Sequence, residues 1–448
     1  MTEVSDVETA ATATAPATTD RSWRSLLAST EIDTRQAGMV IAAGVIWIGF
    51  HILSHGAFLT ARNLWNLSVQ SASIAIMATG MVLIIVTRNI DLSVGSLLGF
   101  LGYAMAVLQW KWIPETFGLG LGRPYTWIVV LLFGIVVGAV IGGVQGFIVA
   151  YAGVPAFIVS LGGFLVWRGL IFRLGEKGQT IAPLDKNFQL LGGGANGALG
   201  EWKSWLLALV ACVAIALSLT LARSQRRRYE LPVRPAWVDI GLAVVGCVAV
   251  IGAIGLVTNR YRSPITGQPT GVAYPVVILI IVTVAMSYLA RRRRFGRYVY
   301  AYGGNPEAAE LGGINTRRTV MFTFVLMGVL CAISAAIQTA RLDAAVTNLG
   351  VQNELDVISA AVIGGTSFSG GIGTIPGAVL GAVIMQSLRS GMVLLKIDSP
   401  SQDIVVGVVL VTAVAVDAAL RLRRRTGVFG ALVAGLVVSA VVIQTGRS

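Results

Sequence analysis

The sequence predicts an all-α polytopic membrane protein with about 12–14 transmembrane helices, some of them broken or re-entrant. Three observations predict it. Apolar residues make up 55% of the chain and charged residues 12%, with a mean hydropathy of +0.78. A soluble domain carries about 25% charged residues. Apolar runs of membrane-spanning length recur from residue 37 onward. The basic residues gather at the ends of those runs, at 223–228, 291–297 and 421–425. That placement follows the positive-inside rule, so the net charge of +13 implies a lipid surface and no nucleic acid.

The elements follow in order. Residues 1–36 carry the low-complexity stretch ETAATATAPATTD and begin acidic, without an apolar signal-peptide core. They read as a disordered cytoplasmic tail. A membrane domain then covers 37–444. With about 20 apolar residues per crossing, spans are expected near 37–55, 64–87, 92–109, 126–150, 155–173, 205–222, 236–257, 274–290, 319–340, 355–370, 376–395, 403–420 and 427–444. Starting inside, this parity places 223–235, 291–318 and 421–426 in the cytoplasm, and those segments hold sixteen Arg. The outward loops are mixed in sign. The segments 355–370 and 376–395 are interrupted by Gly364-Gly365 and Ser369-Gly370-Gly371, and also read as half-helices or a re-entrant pair. The last span has an interfacial alternative. The outward stretch 174–204 is rich in glycine and reads as a cap over the outer mouth, a partner contact or a flexible loop.

The polar island 291–318 stands out between two apolar spans. Within it, Asn305-Pro306-Glu307-Ala308-Ala309-Glu310-Leu311 predicts a short helix. Asn305 suits the N-cap, Pro306 the first turn, and Glu307 the positive end of the dipole. Gly312-Gly313 should end it. A capped helix on the inner face is a docking surface.

Two glycine-rich breaks are candidates for a solute pathway. The first is Thr87–Ser96, with Asn89, Asp91 and Ser93. Broken helices mark binding sites in transporters, whereas the plainer reading is a cytoplasmic turn in which Asp91 and Ser93 cap the next helix. The second, 363–374, offers Thr366, Ser367 and Ser369, against a reading of close packing alone. Gln145 adds a polar group within a span. Arg168 lies near an outer span end, where snorkelling explains it.

Several absences bound the function. The chain has no G-x-x-x-x-G-K-[ST] loop for ATP. His51 and His55 are the only histidines, and Asp239, Asp356, Asp403 and Asp417 sit at or near predicted span ends. Cys212, Cys247 and Cys331 lie singly in apolar runs without metal-ligand spacing. No set of catalytic acids, nucleophile and base, or metal ligands is evident, so an enzyme is disfavoured.

Four stretches carry a resemblance: IDLSVGS at 90–96, VPAFIVSLGG at 154–163, GRYVYAYGGNPEAAELGGIN at 296–315, and ELDVISAAVIGGTSFSGGIGTIPGAVLGA at 354–382. Over roughly residues 60–420 the chain resembles the membrane permeases of bacterial ABC sugar importers of the ribose/xylose group, most of all its xylose-type members. The resemblance implies the ABC importer permease fold, with 37–444 as the permease domain, in the bacterial cytoplasmic membrane. It implies that 291–318 is the cytoplasmic coupling loop meeting a separate ATPase, through Gly303, Gly304, Asn305, Pro306, Glu307, Ala308, Ala309, Glu310, Gly312 and Ile314. It further implies a permease homodimer, an extracytoplasmic sugar-binding protein, and ATP and Mg used by the ATPase, with no cofactor on this chain. The tail, the basic loop 223–235, the span 236–257 and the segment after Arg425 exceed a minimal member. The solute is expected to be a monosaccharide such as xylose or another pentose. The alternative is a secondary sugar carrier driven by an ion gradient, which the scarcity of intramembrane charge disfavours.

Overall fold

In the computed structural model, residues 34–118, 122–174, 178–194, 197–230, 233, 235–262 and 267–422 are described. The expected tail, except its last three positions, and the expected span 427–444 lie outside them.

The helices run α1 (Thr34–Leu53), α2 (Ala61–Val86), α3 (Val94–Val107), α4 (Ile113–Phe117), α5 (Thr126–Ala150), α6 (Ala156–Leu174), α7 (Lys186–Gln189), α8 (Glu201–Arg228), α9 (Ala236–Arg260), α10 (Tyr274–Arg292), α11 (Arg294–Gly304), α12 (Pro306–Leu311), α13 (Thr316–Leu342), α14 (Asn353–Ile363), α15 (Ile375–Leu394) and α16 (Ser399–Leu422). Among the described residues, eight are long and apolar enough to cross a membrane: α2, α5, α6, α8, α9, α10, α13 and α15. Helices α1 and α16 carry shorter apolar stretches, Ala37–Leu53 and Ser399–Ala415.

Two expected spans are broken. Helix α3 continues through a wide π turn at Leu108–Trp112 into α4. Helix α14 has 11 residues, about 16 Å, against an apolar bilayer core of about 30 Å. The segment 355–370 is therefore a half-helix and not a crossing. The physical reason is Gly364-Gly365, which ends α14 where Gly364 packs directly on the backbone of Gly377.

Helix α2 is the axle of the bundle. Its apolar window is 94% buried, whereas those of α8 and α9 are 6% buried and face outward. Around α2 pack α13, α14, α15 and α10. Helices α5 and α13 form the tightest crossing. Gly134, Gly138, Gly142 and Gly146 recur every fourth residue on α5; Gly328 of α13 faces Gly138 and Gly142, and Gly146 meets Met321 of α13. A Cβ at Gly138 would overlap the Gly328 carbonyl oxygen, and one at Gly142 that of Phe324. Without a hydrophobic drive between helices in lipid, such small-residue stripes let backbones approach.

The outward stretch is a packed cap. Ile181 and Ala345 exchange backbone bonds of 3.1 and 3.0 Å. Leu184 N–H donates to Asp343 at 3.0 Å, and the buried Asp185 accepts from Asn187 and Phe188 N–H at 2.9 and 3.1 Å. The Gln109 side chain, at the π turn, accepts from Asp185 N–H at 3.1 Å.

Replacing Gly142 or Gly328 by Leu should overpack this crossing at a cost of about 1–3 kcal/mol each. The purified protein should melt several degrees lower in detergent. Gly252→Leu on α9, where nothing lies within 4 Å of an added Cβ, should leave the melting temperature unchanged.

Candidate coupling surface and translocation path

The predicted short helix is present as α12. Asn305 caps it, its Oδ1 accepting from Ala308 N–H at 3.1 Å. Its end is a Schellman turn: Gly313 N–H donates to the Glu310 carbonyl at 2.9 Å and Ile314 N–H to that of Ala309 at 3.1 Å. The turn requires a left-handed residue, and Gly313 has φ +79°. Asn305, Glu307, Ala308, Glu310, Leu311 and Gly312 are exposed, and Leu311 is 90% exposed. Pro306 and Ile314 are half-buried, and Ala309 is buried against the protein.

Ahead of α12 lies a helix that was not expected. Helix α11 takes up 11 residues of the expected loop 291–318. Its buried face is Gly296, Val299 and Gly303. Tyr300 donates from its hydroxyl to the Gly373 carbonyl at 2.8 Å, and burial pushes that hydroxyl above its usual titration range, keeping it a donor. Gly303 presses against the Val86 carbonyl at the end of α2, leaving no room for a Cβ. Gly304 is exposed.

Arg88 joins these pieces. It follows α2 in a left-handed conformation, φ +61°. Its Nε donates to the Gly303 carbonyl at 3.0 Å and its Nη2 to the Gly304 carbonyl at 2.9 Å. A guanidinium on the last carbonyls of a helix also meets the negative end of its dipole. Beside it, Gly371 N–H donates to the Val86 carbonyl at 3.0 Å. One small region thus holds the end of α2, the end of α11 and the second break.

The first break turns back into the protein. Asp91 and Ser93 are 1% and 0% exposed. The Val94 carbonyl accepts from the Cys331 thiol at 3.7 Å, and Cys331 lies in the middle third of α13. Helix α3 therefore begins inside the helix bundle, beside the middle of α13. Ser93 makes no side-chain cap. Instead, Asp91 Oδ1 accepts from Ser93 N–H at 2.8 Å and from the Ser93 hydroxyl at 2.6 Å. Gln145 Nε2 donates to that hydroxyl at 3.0 Å. Three expected pathway residues form one relay, while Asn89 only closes on Thr87, at 3.0 and 3.2 Å.

In the second break, Ser367 and Ser369 pair through their hydroxyls at 3.0 Å. Thr366 is fully buried, and its hydroxyl has no partner. Close packing and polarity coexist here, since Gly364, Gly377 and Gly381 abut backbone atoms.

The outer half holds a polar cleft of roughly 230 Å³ among α2, α13, α14 and α15. Gln70, Gln338, Asn353 and Gln386 supply amides to it. Asp356 and Arg389 supply charge, paired through Arg389 Nε and Nη2 to Asp356 Oδ1 at 3.0 and 2.9 Å. Asp356 lies in the first turn of α14, at a helix end as expected, and is a buried ion-pair partner there. Arg168 also departs from the snorkelling expectation. It turns inward, donating from Nη1 to the carbonyls of Thr347 and Leu349 at 3.3 and 3.0 Å, and so holds the loop that leads into α14.

Comparison with known proteins agrees with this architecture. Residues 63–414 match the family described as branched-chain amino acid transport system / permease component. The chain belongs to this family. The chain is 38% identical over 379 residues to the xylose transport system permease protein of Haemophilus influenzae, covering 85% of this chain and 95% of that one. Its Escherichia coli counterpart is 37% identical over 385 residues, 86% and 92% of the two chains. The ribose import permease protein of Escherichia coli is 32% identical over 360 residues, 80% and 87%. No solved structure matches the chain. The protein is a multi-pass inner-membrane permease and not an enzyme. Permease components of this family work in general with an ATPase and a solute-binding protein.

Within this permease the inner-side residues fall into two groups. The α12 face is exposed, whereas the relay and Thr366 are buried, and Arg88 stands between them. Arg88 was visible in the first break, but its partners lie 215 and 216 residues away. The cleft residues gave no signal at all, because single amides on separate helices have no spacing.

Arg88→Ala should lower solute uptake more than tenfold, consistent with losing two charge-assisted bonds of about 1.5–3 kcal/mol each. The variant should still insert and bind its ATPase. Arg88→Lys should recover little, since an ammonium cannot reproduce the fork. Uptake in vesicles, normalised to inserted protein, checks both.

Proposed function

We propose that the chain is the permease subunit of an ATP-binding-cassette importer that carries a monosaccharide, xylose or a related pentose, into the cytoplasm. Two copies form a homodimer, each docked on one ATPase subunit. An extracytoplasmic binding protein delivers the sugar at the outer cap. ATP and Mg belong to the ATPase, and this chain binds neither.

The observation that carries the reading is α12, a helix with both ends fixed, presented beside seven Arg between 291 and 318 and held at its root by Arg88. A docked ATPase that displaces α12 would move α11, because only Asn305 lies between Gly304 and Pro306. Helix α11 would carry with it the end of α2 and the second break. Movement there opens or closes the inner side of the bundle. The sugar class is supported by the xylose and ribose permeases named above and by a cleft with amides on most sides.

Reversing charge with Glu307→Arg and Glu310→Arg together should abolish ATPase co-purification and reduce ATP-driven xylose uptake more than tenfold, with insertion unchanged. Xylose accumulation by the chain alone, collapsing with an ionophore, would contradict the importer reading.

A further inference from the structure

We propose that the outer cleft is the solute subsite of the permease, built for a neutral polyhydroxylated ring and gripped by Gln70 and Gln386. The proposal rests on the importer reading and adds to it the residues that touch the solute. None of the breaks, where the sequence placed its pathway candidates, lines this cleft.

The chemistry of the lining selects the class. Gln386 Nε2 donates to Gln70 Oε1 at 2.7 Å, and Asn353 Nδ2 to Gln338 Oε1 at 3.2 Å. Each amide pair keeps one NH₂ group and one carbonyl oxygen for a further partner. A sugar hydroxyl both donates and accepts, so it satisfies either. The charges balance locally: Arg389 is paired with Asp356 and lies 3.7 Å from Asp403, while Arg341 adds a second cation to the wall. Two carboxylates thus stand against two cations around the cleft, Asp403 from behind its wall. Only Ile74, Leu342 and Val351 offer apolar surface, too little to select a branched aliphatic side chain.

A second observation extends the cleft inward. The hydroxyls of Ser71 on α2 and Ser359 on α14 are buried and have no hydrogen-bond partner, and neither has Thr366 in the second break. Ser71 adjoins Gln70, and Ser359 lies one turn past Asp356. Helix α14 leads from there to Thr366. Buried hydroxyls are ordinarily bonded. Ser359 lies on α14 and Thr366 in the break it leads to, and a solute that reached them would supply the missing bonds.

The test uses the permease assembled with its ATPase and binding protein in proteoliposomes. Gln70→Leu and Gln386→Leu should each lower ATP-driven xylose uptake about tenfold, the factor for one ordinary hydrogen bond, with ATPase docking intact. In a background lacking Cys212, Cys247 and Cys331, a Gln386→Cys variant should react with a hydrophilic maleimide, and xylose should slow that reaction whereas leucine should not. Unchanged uptake in the Leu variants together with xylose-independent labelling would overturn the subsite and leave the importer reading standing. Protection by leucine in place of xylose would overturn the sugar class. Uptake independent of the ATPase would instead overturn the importer reading.

Discussion

The Arg88 guanidinium on the last carbonyls of α11 is the contact on which the inner half of this permease depends. Helix α11 is amphipathic: Gly296, Val299 and Gly303 are buried, and Phe295, Tyr300 and Tyr302 pack partly buried against the core. Apolar burial holds the helix down but does not fix its register. Its position is set by polar contacts: two bonds from Arg88, one from Tyr300 to Gly373, and the backbone contact of Gly303 with Val86. All of them end on segments flanking the two breaks. Helix α11 and the segments that interrupt the membrane helices are consequently one connected body.

That connection divides the molecule. Toward the outside, the cap 178–194, Arg168 and the Asp356–Arg389 pair hold loops and half-helices around a polar cleft. Toward the inside, the relay from Gln145 through Ser93 to Asp91 closes the first break. Between them runs α2, buried along almost its whole apolar length. A buried central helix cannot shift without its neighbours, because close-packed interfaces are bistable and not continuously deformable. The glycine stripe of α5 on α13 supplies the rigid wall against which such a shift occurs.

Much of this was legible in the sequence. Membrane class and the α12 caps follow from rules about solvent and hydrogen bonding that need only neighbouring residues. Asn305 and Gly312-Gly313 act as their types predict, with the left-handed φ falling on Gly313. The breaks were legible as interruptions, yet their depth was not. Asp91 looks like a cap from its spacing, and only the contact of Val94 with Cys331 reveals that it sits within the bundle. Helix α11 was missed although Phe295, Val299 and Tyr302 recur at i, i+4 and i+7, because its Arg-rich start reads as a loop. The cleft was hidden because Gln70, Gln338, Asn353 and Gln386 come from four helices. Tertiary proximity alone assembles them.

The central claim is that α12, α11 and the second break move as one body. Pulsed electron paramagnetic resonance on the assembled transporter tests it most directly. Spin labels at the exposed positions Leu311 and Ile372 report across the body, and a label at Val393, at the far end of α15, serves as the outer reference. Between nucleotide-free and ATP-bound states, the Leu311–Ile372 distance should stay constant while both distances to Val393 change. A Leu311–Ile372 distance that changes while Ile372–Val393 stays fixed would contradict the account.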